Sequence, residues 1–273
     1  MVDHASGSLA PVIYLPHGGG PLPLLGDEAH TELVAFLRTI ARRLPPPEAI
    51  LVISAHWEED QPAITSGSRP GLIYDYYGFP DEAYQVQYPA PGAPQIAREL
   101  ADTIRAHGML ADLDDARGFD HGLFVPLKLM YPEARIPCLQ LSLIKYLDPA
   151  AHIALGRAIA AIRRKNILTI GSGLSYHNLR EFFVTADHSR RASEAFDSWL
   201  IETCTTPAMS PLEREQRLIN WKAAPSARLC HPREEHLLPL HVCYGVASAE
   251  SPVAEVVFNQ ELMGKKVTGL LWS

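Results

Sequence analysis

The chain has 273 residues, 47% of them hydrophobic and 20% charged, which is the balance of an ordinary folded protein. Its formal net charge of -7 disfavours a nucleic-acid partner, because phosphate binding needs a positive face. Four scattered cysteines without a Cys-x-x-Cys pair exclude a disulfide framework and a thiolate zinc site. No apolar run reaches the roughly 20 residues of a membrane helix, and residues 1–6 lack a signal-peptide pattern. We therefore expect a cytoplasmic protein with no membrane partner.

The first predicted elements alternate between strand and helix. The apolar run 12–15 predicts a buried strand that leads into His17 and three glycines. Residues 28–43 have one apolar face and predict an amphipathic helix. The run 50–55 predicts a second buried strand, which ends on His56. This strand–helix–strand spacing favours a βαβ unit with parallel pairing of the two strands.

The middle of the chain contains a long aromatic loop between further elements. The patterns predict a short strand at 63–65, an irregular stretch at 74–92, helices at 93–107 and 123–131, and a strand at 136–143. The aromatic side chains of 74–79 could cover a planar ring substrate or could pack the loop against the body, and both interpretations stay open.

The last part of the chain completes an α/β pattern. It predicts a helix at 149–164, a strand at 167–170, a helix at 188–204, a mixed region at 205–230, a final helix at 234–247 and a closing strand at 254–258. The whole pattern predicts one α/β domain over residues 1–273, with a mostly parallel central sheet and helices on both faces. A homo-oligomer is possible, and the sequence does not decide it.

Histidines follow two of the predicted buried strands. His17 and His56 both stand directly after apolar runs, and ligands of open α/β sheets bind outside the carboxyl ends of the strands. A single histidine in this place is usually an ordinary rim residue. Two histidines in the same context favour a metal site at the carboxyl ends of the strands, because neutral imidazole is a common ligand for zinc and iron.

A third ligand is expected near the start of the final predicted helix. The candidates in this segment are His231, Glu234, Glu235 and His236. Acidic residues are also common there because they complement the helix dipole. The pattern of residues alone leaves the choice open, and His241 on the same segment could be a core histidine.

Two further histidines lie in loops with small residues. His177 follows the Gly171-Ser172-Gly173 strand end and could be a fourth metal ligand or a general base. His121 lies between Asp120 and Gly122 and is a second acid/base candidate, although it could be a turn histidine paired with Asp120.

At these positions the chain resembles the class III extradiol ring-cleavage dioxygenases, the family of protocatechuate 4,5-dioxygenase beta subunits. Within that family it is most similar to the DOPA 4,5-dioxygenase branch. The motifs that carry the resemblance run from residue 16 to residue 240. They are Pro16-His17-Gly18, Ser54-Ala55-His56-Trp57, Gly78-Phe79-Pro80, Tyr88-Pro89-Ala90-Pro91-Gly92, Gly118-Phe119-Asp120-His121-Gly122, Gly171-Ser172-Gly173 with His177-Asn178-Leu179, and His231-Pro232 with Glu235-His236 before Leu238-Pro239-Leu240.

The resemblance implies a function and a set of roles. His17, His56 and His236 would be the metal ligands, with Fe(II) as the catalytic metal. A ligand set of three histidines would also suit Zn(II), which is therefore a possible bound metal. His177 would be the catalytic base or a fourth ligand, and His121 would lie near the substrate and oxygen. The reaction would open the ring of a catechol with dioxygen.

Two other functions and one departure from the family pattern limit this interpretation. The same ligands would suit a zinc-dependent hydrolase or amidase, and a non-catalytic binding relative is a second alternative. Gly19-Gly20 stands where many members of the family have Ser-Pro, so the identity of the substrate stays open.

Overall fold

In the computed structural model, which describes residues 9–182 and 187–273, eight strands form one sheet. In chain order the strands are β1 (Val12–Pro16), β2 (Ala49–Glu59), β3 (Ala63–Thr65), β4 (Asp112–Asp114), β5 (Cys138–Ile144), β6 (Ile167–Gly173), β7 (Glu255–Leu262) and β8 (Lys265–Trp272). Across the sheet they lie in the order β4-β3-β5-β2-β6-β1-β8-β7.

Helices fill most of the connections between the strands. Those of the described residues are α1 (Thr31–Ile40), α2 (Pro94–Ala106), α3 (His121–Met130), α4 (Pro149–Ala158), α5 (Leu179–Phe182), α6 (Asp187–Thr205), α7 (Pro211–Ile219), α8 (Ala227–Cys230) and α9 (Leu238–Ala247). Asp148 caps α4 by accepting the Ala150 backbone N–H at 2.8 Å, with a proline at the first helical position.

The four inner strands, β5-β2-β6-β1, are all parallel, whereas the pairs β3–β5, β1–β8 and β7–β8 are antiparallel. The predicted α/β class with a mostly parallel central sheet is therefore confirmed. The predicted direct pairing of β1 with β2 is wrong, because β6 lies between them and pairs with both.

Hydrophobic layers cover both faces of the sheet. Alternate residues of β1 show this: Ile13 and Leu15 pack into one layer, and Val12 and Tyr14 into the other. The first layer contains the apolar faces of α1 and α3, and the second those of α2, α4 and α9. This two-sided burial explains why the inner strands are continuous apolar runs, and it confirms the prediction of helices on both faces.

The carboxyl-terminal elements differ most from the prediction. The final helix begins at Leu238 rather than 234, because Pro239 lacks an N–H and its ring would clash with the carbonyl four residues earlier. The predicted closing strand is the first arm of a hairpin, and its second arm, β8, continues the sheet beside β1. The short strand β4 was also not predicted.

Two predictions concern residues outside the described ranges 9–182 and 187–273. The prediction that residues 1–6 carry no signal peptide concerns residues outside the described part, as does part of the predicted 1–273 domain. No helix in the described ranges combines the length and the apolar character needed to cross a membrane.

Candidate metal centre and active site

Three histidines from distant parts of the chain meet at the carboxyl edge of the parallel strands. His17, His56 and His236 each offer a ligand atom, and these atoms lie within 4.8 Å of one another. The Nε2 atoms of His17 and His56 are 3.2 Å apart. The ring centroid of His236 lies 5.2 Å from that of His17 and 4.9 Å from that of His56.

Strand β6 orients the His17 ring. The Ser172 hydroxyl donates to the Gly122 carbonyl at 2.5 Å, so its oxygen accepts from Nδ1 of His17 at 3.0 Å. Register brings these residues together, since Leu15 of β1 pairs with Ser172 and Pro16 with Gly173. With its proton on Nδ1, neutral His17 leaves the lone pair of Nε2 free for a metal ion.

His56 lies where β2 leaves its regular pairing with β5. The register of the pairing shifts between Ile53 and Glu58. The strand then continues to Glu59, whereas the sequence predicted that it ends at His56. The Ser54 hydroxyl accepts the His56 backbone N–H at 3.2 Å and donates to the buried Asp120 carboxylate at 2.7 Å. The irregular segment that carries His56 is therefore attached to the start of α3.

Asp75, in the aromatic loop, joins His56 to His121. Its Oδ1 accepts from both the backbone N–H and Nδ1 of His121, at 3.0 and 2.8 Å. Its Oδ2 lies 3.7 Å from Nδ1 of His56. Burial tends to raise the pKa of Asp75, but the His121 hydrogen bonds and nearby imidazoles outweigh burial and lower it. Sequence reasoning missed this carboxylate, whose partners lie far along the chain.

His236 lies in the turn before α9 and is held by its backbone. Its carbonyl accepts from the Tyr14 hydroxyl at 2.9 Å and from the Leu174 N–H at 3.1 Å. A Cβ at Gly173 would lie 2.1 Å from that carbonyl oxygen, so only glycine allows this approach. The Nδ1 atom of His236 is 3.0 Å from Oε1 of Glu235. The nitrogen of His236 that does not contact Glu235 is therefore Nε2.

His177 stacks directly on His236. The two ring centroids are 3.3 Å apart with an interplanar angle of 15°. Nδ1 of His177 lies 3.2 Å from the same Glu235 oxygen that contacts His236. The rings of His121 and His56 are also close, with centroids 3.9 Å apart. All five predicted site histidines therefore line one pocket.

Of the other candidates for the third ligand, Glu235 lies beside His177 and His236 and forms a second possible ligand group with them, whereas His231 and Glu234 point elsewhere. Nε2 of His231 is 2.9 Å from the Ser175 carbonyl, and Glu234 is paired with Arg228 at 2.7 Å. His241 lies in the core between the carbonyls of Leu218 and Leu237.

Electrostatics keep the three clustered imidazoles neutral. Burial first, and then the neighbouring imidazoles, lower the pKa values of His17, His56 and His236 well below the usual range. The electrostatic free energy of bringing these rings together is highest when they are protonated and lowest when they are neutral. Neutral imidazoles with free nitrogens directed at a common point attract a cation.

The pocket above these histidines has a volume of about 590 Å³, within the usual range for small-molecule sites. The aromatic loop packs against the body of the protein in one part and borders the pocket in another. Tyr76 is buried and donates to the Ala83 carbonyl at 2.6 Å, whereas Tyr77 lines the pocket and is 91% exposed. The Gly19 N–H donates to buried His30 at 2.9 Å, which holds the glycine loop after His17 against the body of the protein.

The donor set fits a divalent transition metal. Two nitrogens each about 2.1 Å from one tetrahedral ion would lie about 3.4 Å apart, which is close to the 3.2 Å between the His17 and His56 Nε2 atoms. Carboxylate or hydroxyl oxygens lie beside the Nδ1 atoms of all three rings, an arrangement typical of metal-ligating histidines.

The fold and the site define an α/β protein with a candidate metal centre at the carboxyl edge of a parallel sheet. Residues 11–271 match the family model described as the catalytic LigB subunit of aromatic ring-opening dioxygenase. The chain belongs to this family of class III extradiol dioxygenases. The resemblance that the sequence motifs indicated is thus confirmed.

Several relatives match over most of the chain. The 4,5-DOPA dioxygenase extradiol of Beta vulgaris is 42% identical, covering 90% of this chain and 90% of the relative. The dioxygenase tasH of Hapsidospora irregularis is 40% identical, covering 97% and 86%. The crystal structure of an uncharacterized protein from Escherichia coli K12 covers 97% of this chain and 100% of its own, with 28% identity and a TM-score of 0.75.

Proposed function

We propose that this protein is a non-haem metal-dependent extradiol dioxygenase that opens the aromatic ring of a catechol-type substrate with dioxygen. The observation that carries the proposal is the meeting of His17, His56 and His236 beside His121 and His177 in one pocket. Relatives named 4,5-DOPA dioxygenase extradiol support it, because DOPA is a catechol.

His17, His56 and His236 would hold Fe(II). When bound, the iron would supply positions for both ring oxygens and for dioxygen, and a route for electron density from the ring to oxygen. The pocket itself would orient the ring and limit the access of water.

His177 would take the proton of the second catechol hydroxyl. Its Nδ1 lies beside Glu235, so its other nitrogen is available to the substrate. The Glu235 carboxylate would stabilise the imidazolium that this transfer creates. Contact with His236 also keeps a fourth-ligand role for His177 as an alternative.

His121 would stabilise negative charge that develops on oxygen. Its Nδ1 is held by Asp75 at 2.8 Å, which fixes the orientation of the ring. A binding protein without catalysis would have no need for this second histidine–carboxylate pair.

Oxygen uptake tests the proposal. The protein should be loaded with iron under nitrogen and then offered a panel of catechols in air, with ring opening followed by the yellow absorbance of the product. We expect oxygen consumption with at least one catechol and none without it. Absence of oxygen consumption with every catechol of the panel would contradict the proposal and would favour the zinc hydrolase.

The metal itself gives a further prediction. Three neutral ligands leave the full +2 charge on the ion, and three-histidine sites suit zinc well. We expect zinc to occupy the site after purification without being the catalytic metal. Metal analysis, paired with activity before and after iron loading, checks this, and ring cleavage by the zinc form that is unchanged by iron would contradict it.

A further inference from the structure

Three charged side chains line the pocket among the residues that the structure describes, and they form one network. Arg233 donates through both terminal nitrogens to the two carboxylate oxygens of Glu58, at 2.5 Å each. One of these nitrogens also lies 3.5 Å from Oε2 of Glu235. The guanidinium is therefore occupied by the protein's own carboxylates in a bidentate arrangement.

The charge of this wall is negative. Two carboxylates, Glu58 and Glu235, face a single guanidinium, so the network carries a net charge of -1.

The rest of the pocket outside the histidines is largely apolar. The apolar side chains that line it come from several separate segments of the fold. They include Leu22, Phe79, Leu174, Phe182, Leu262 and Met263. A substituent on a bound ring would meet either this apolar surface or the acidic network.

We propose that the substrate of this site is a catechol whose ring substituent is apolar and uncharged, and that the Glu58–Arg233 pair selects against substituents ending in a carboxylate. This inference rests on the proposed dioxygenase function. A substrate carboxylate would have to lie unpaired near Glu58 and Glu235, or separate Arg233 from Glu58. Either outcome weakens binding of the acid and leaves an ester of the same shape unaffected.

A matched pair of substrates tests the inference. Dihydrocaffeate and its methyl ester share a ring and a chain and differ in charge. For the iron-loaded protein we expect kcat/KM for the ester to exceed that for the acid by at least tenfold. Dissociation constants measured by calorimetry under nitrogen should show the same order, without turnover.

Variants of Glu58 and Arg233 test whether these two residues cause the preference for the ester. Glu58→Gln removes one negative charge and frees Arg233, so the ester-to-acid ratio should fall at least tenfold. Glu58→Gln combined with Arg233→Met removes the freed cation and should restore the preference for the ester. The ratio is measured on one preparation, so losses of folded or metal-loaded protein cancel.

Glu255→Gln is the matched control, because Glu255 pairs with Arg43 at 2.9 Å and does not line the pocket. Its ratio should equal that of the wild type. An acid turned over as well as the ester, or a ratio unmoved by Glu58→Gln, would overturn the substrate inference while leaving the proposed function in place. No oxygen uptake with either compound would overturn the substrate inference, and no uptake with any catechol of the panel would contradict the proposed function as well.

Discussion

Ser172 determines which nitrogen of His17 is available to a metal. Its hydroxyl hydrogen is directed to Gly122 and its oxygen to Nδ1 of His17. Ser172→Ala removes this orientation, and loss of such a partner typically lowers metal affinity by about 10- to 100-fold. Equilibrium dialysis against Fe(II) under nitrogen should show a decrease of this size.

Ser142→Ala is the control for this change. Ser142 is equally buried in β5, and its hydroxyl accepts the Ala63 N–H at 3.0 Å, away from the pocket. We expect its iron affinity to match the wild type. Equal affinities in Ser172→Ala and the wild type would mean that the hydroxyl does not orient His17.

Replacement of His177 should affect catalysis without affecting the binding of iron or catechol. His177→Ala should lower turnover by at least about 100-fold, the usual scale for a lost general base, while leaving iron and catechol binding intact. Oxygen uptake and calorimetry on the same variant measure the two effects. Intact turnover would remove the proposed role, and lost iron binding would instead favour His177 as a fourth ligand.

Single residues also show which parts of the site could be predicted. His17 and His56 were predictable because each follows a buried apolar run, and a local pattern of that kind is visible in the sequence. Asp75 and Ser172 had no such signal. Their histidine partners are 46 and 155 positions away along the chain, and only the folded sheet brings them together.

At the level of elements, the close contact between β6 and the turn before α9 positions His236. Gly173→Ala would place a Cβ against a backbone carbonyl that the sheet cannot easily move. We expect a loss of about 2 kcal/mol or more in the free energy of unfolding, together with weaker iron binding. Chemical denaturation and dialysis measure both.

Gly71→Ala is the comparison for this substitution. A Cβ at Gly71 would meet nothing within 4 Å, so its stability and iron affinity should stay close to those of the wild type. If Gly173→Ala behaves in the same way as Gly71→Ala, the contact is not what places His236.

Helix α4 contains a buried histidine, His152, that must be neutral to accept a hydrogen bond from the end of β5. Nε2 of His152 accepts the Ile144 N–H at 3.1 Å, and its Nδ1 donates to the Asp148 carbonyl at 2.7 Å. Burial lowers the pKa of His152 to about 4, and the unfolded value is about 6.5. The unfolded chain therefore binds this proton first, and stability falls as pH falls from about 6.5 to 4.

The contribution of His152 to that fall is up to about 3 kcal/mol. Stability should be measured by denaturation at several pH values for the wild type and His152→Gln. The variant should be less stable at neutral pH, and its free energy of unfolding should change less with pH over this window. An identical slope in both proteins would show that His152 does not cause the loss of stability at low pH.

The boundaries and neighbours of elements were harder to predict than their existence. The apolar runs of β1, β2, β5 and β6 indicate buried strands, but their order in the sheet does not follow from spacing. β6 lies between β1 and β2 and pairs in register with both. The hairpin arm β8 was missed, since its side chains are buried by elements far away in the chain.

On the scale of the whole molecule, the parallel sheet brings separate strand ends to one edge. His17 follows β1, His56 lies within the end of β2, and His177 follows β6, while His236 reaches the same edge from the turn before α9. The rule that ligands bind at the carboxyl ends of strands predicts this meeting. The pocket walls could not be predicted, because loops from many parts of the chain build them.

We propose that three imidazoles hold one metal ion, and iron binding to the intact chain shows whether each of them contributes. Fe(II) titration under nitrogen should give one ion per chain for the wild type. His17→Ala, His56→Ala and His236→Ala should each weaken binding by at least 100-fold. Wild-type stoichiometry and affinity in any one of these three variants would contradict the claim.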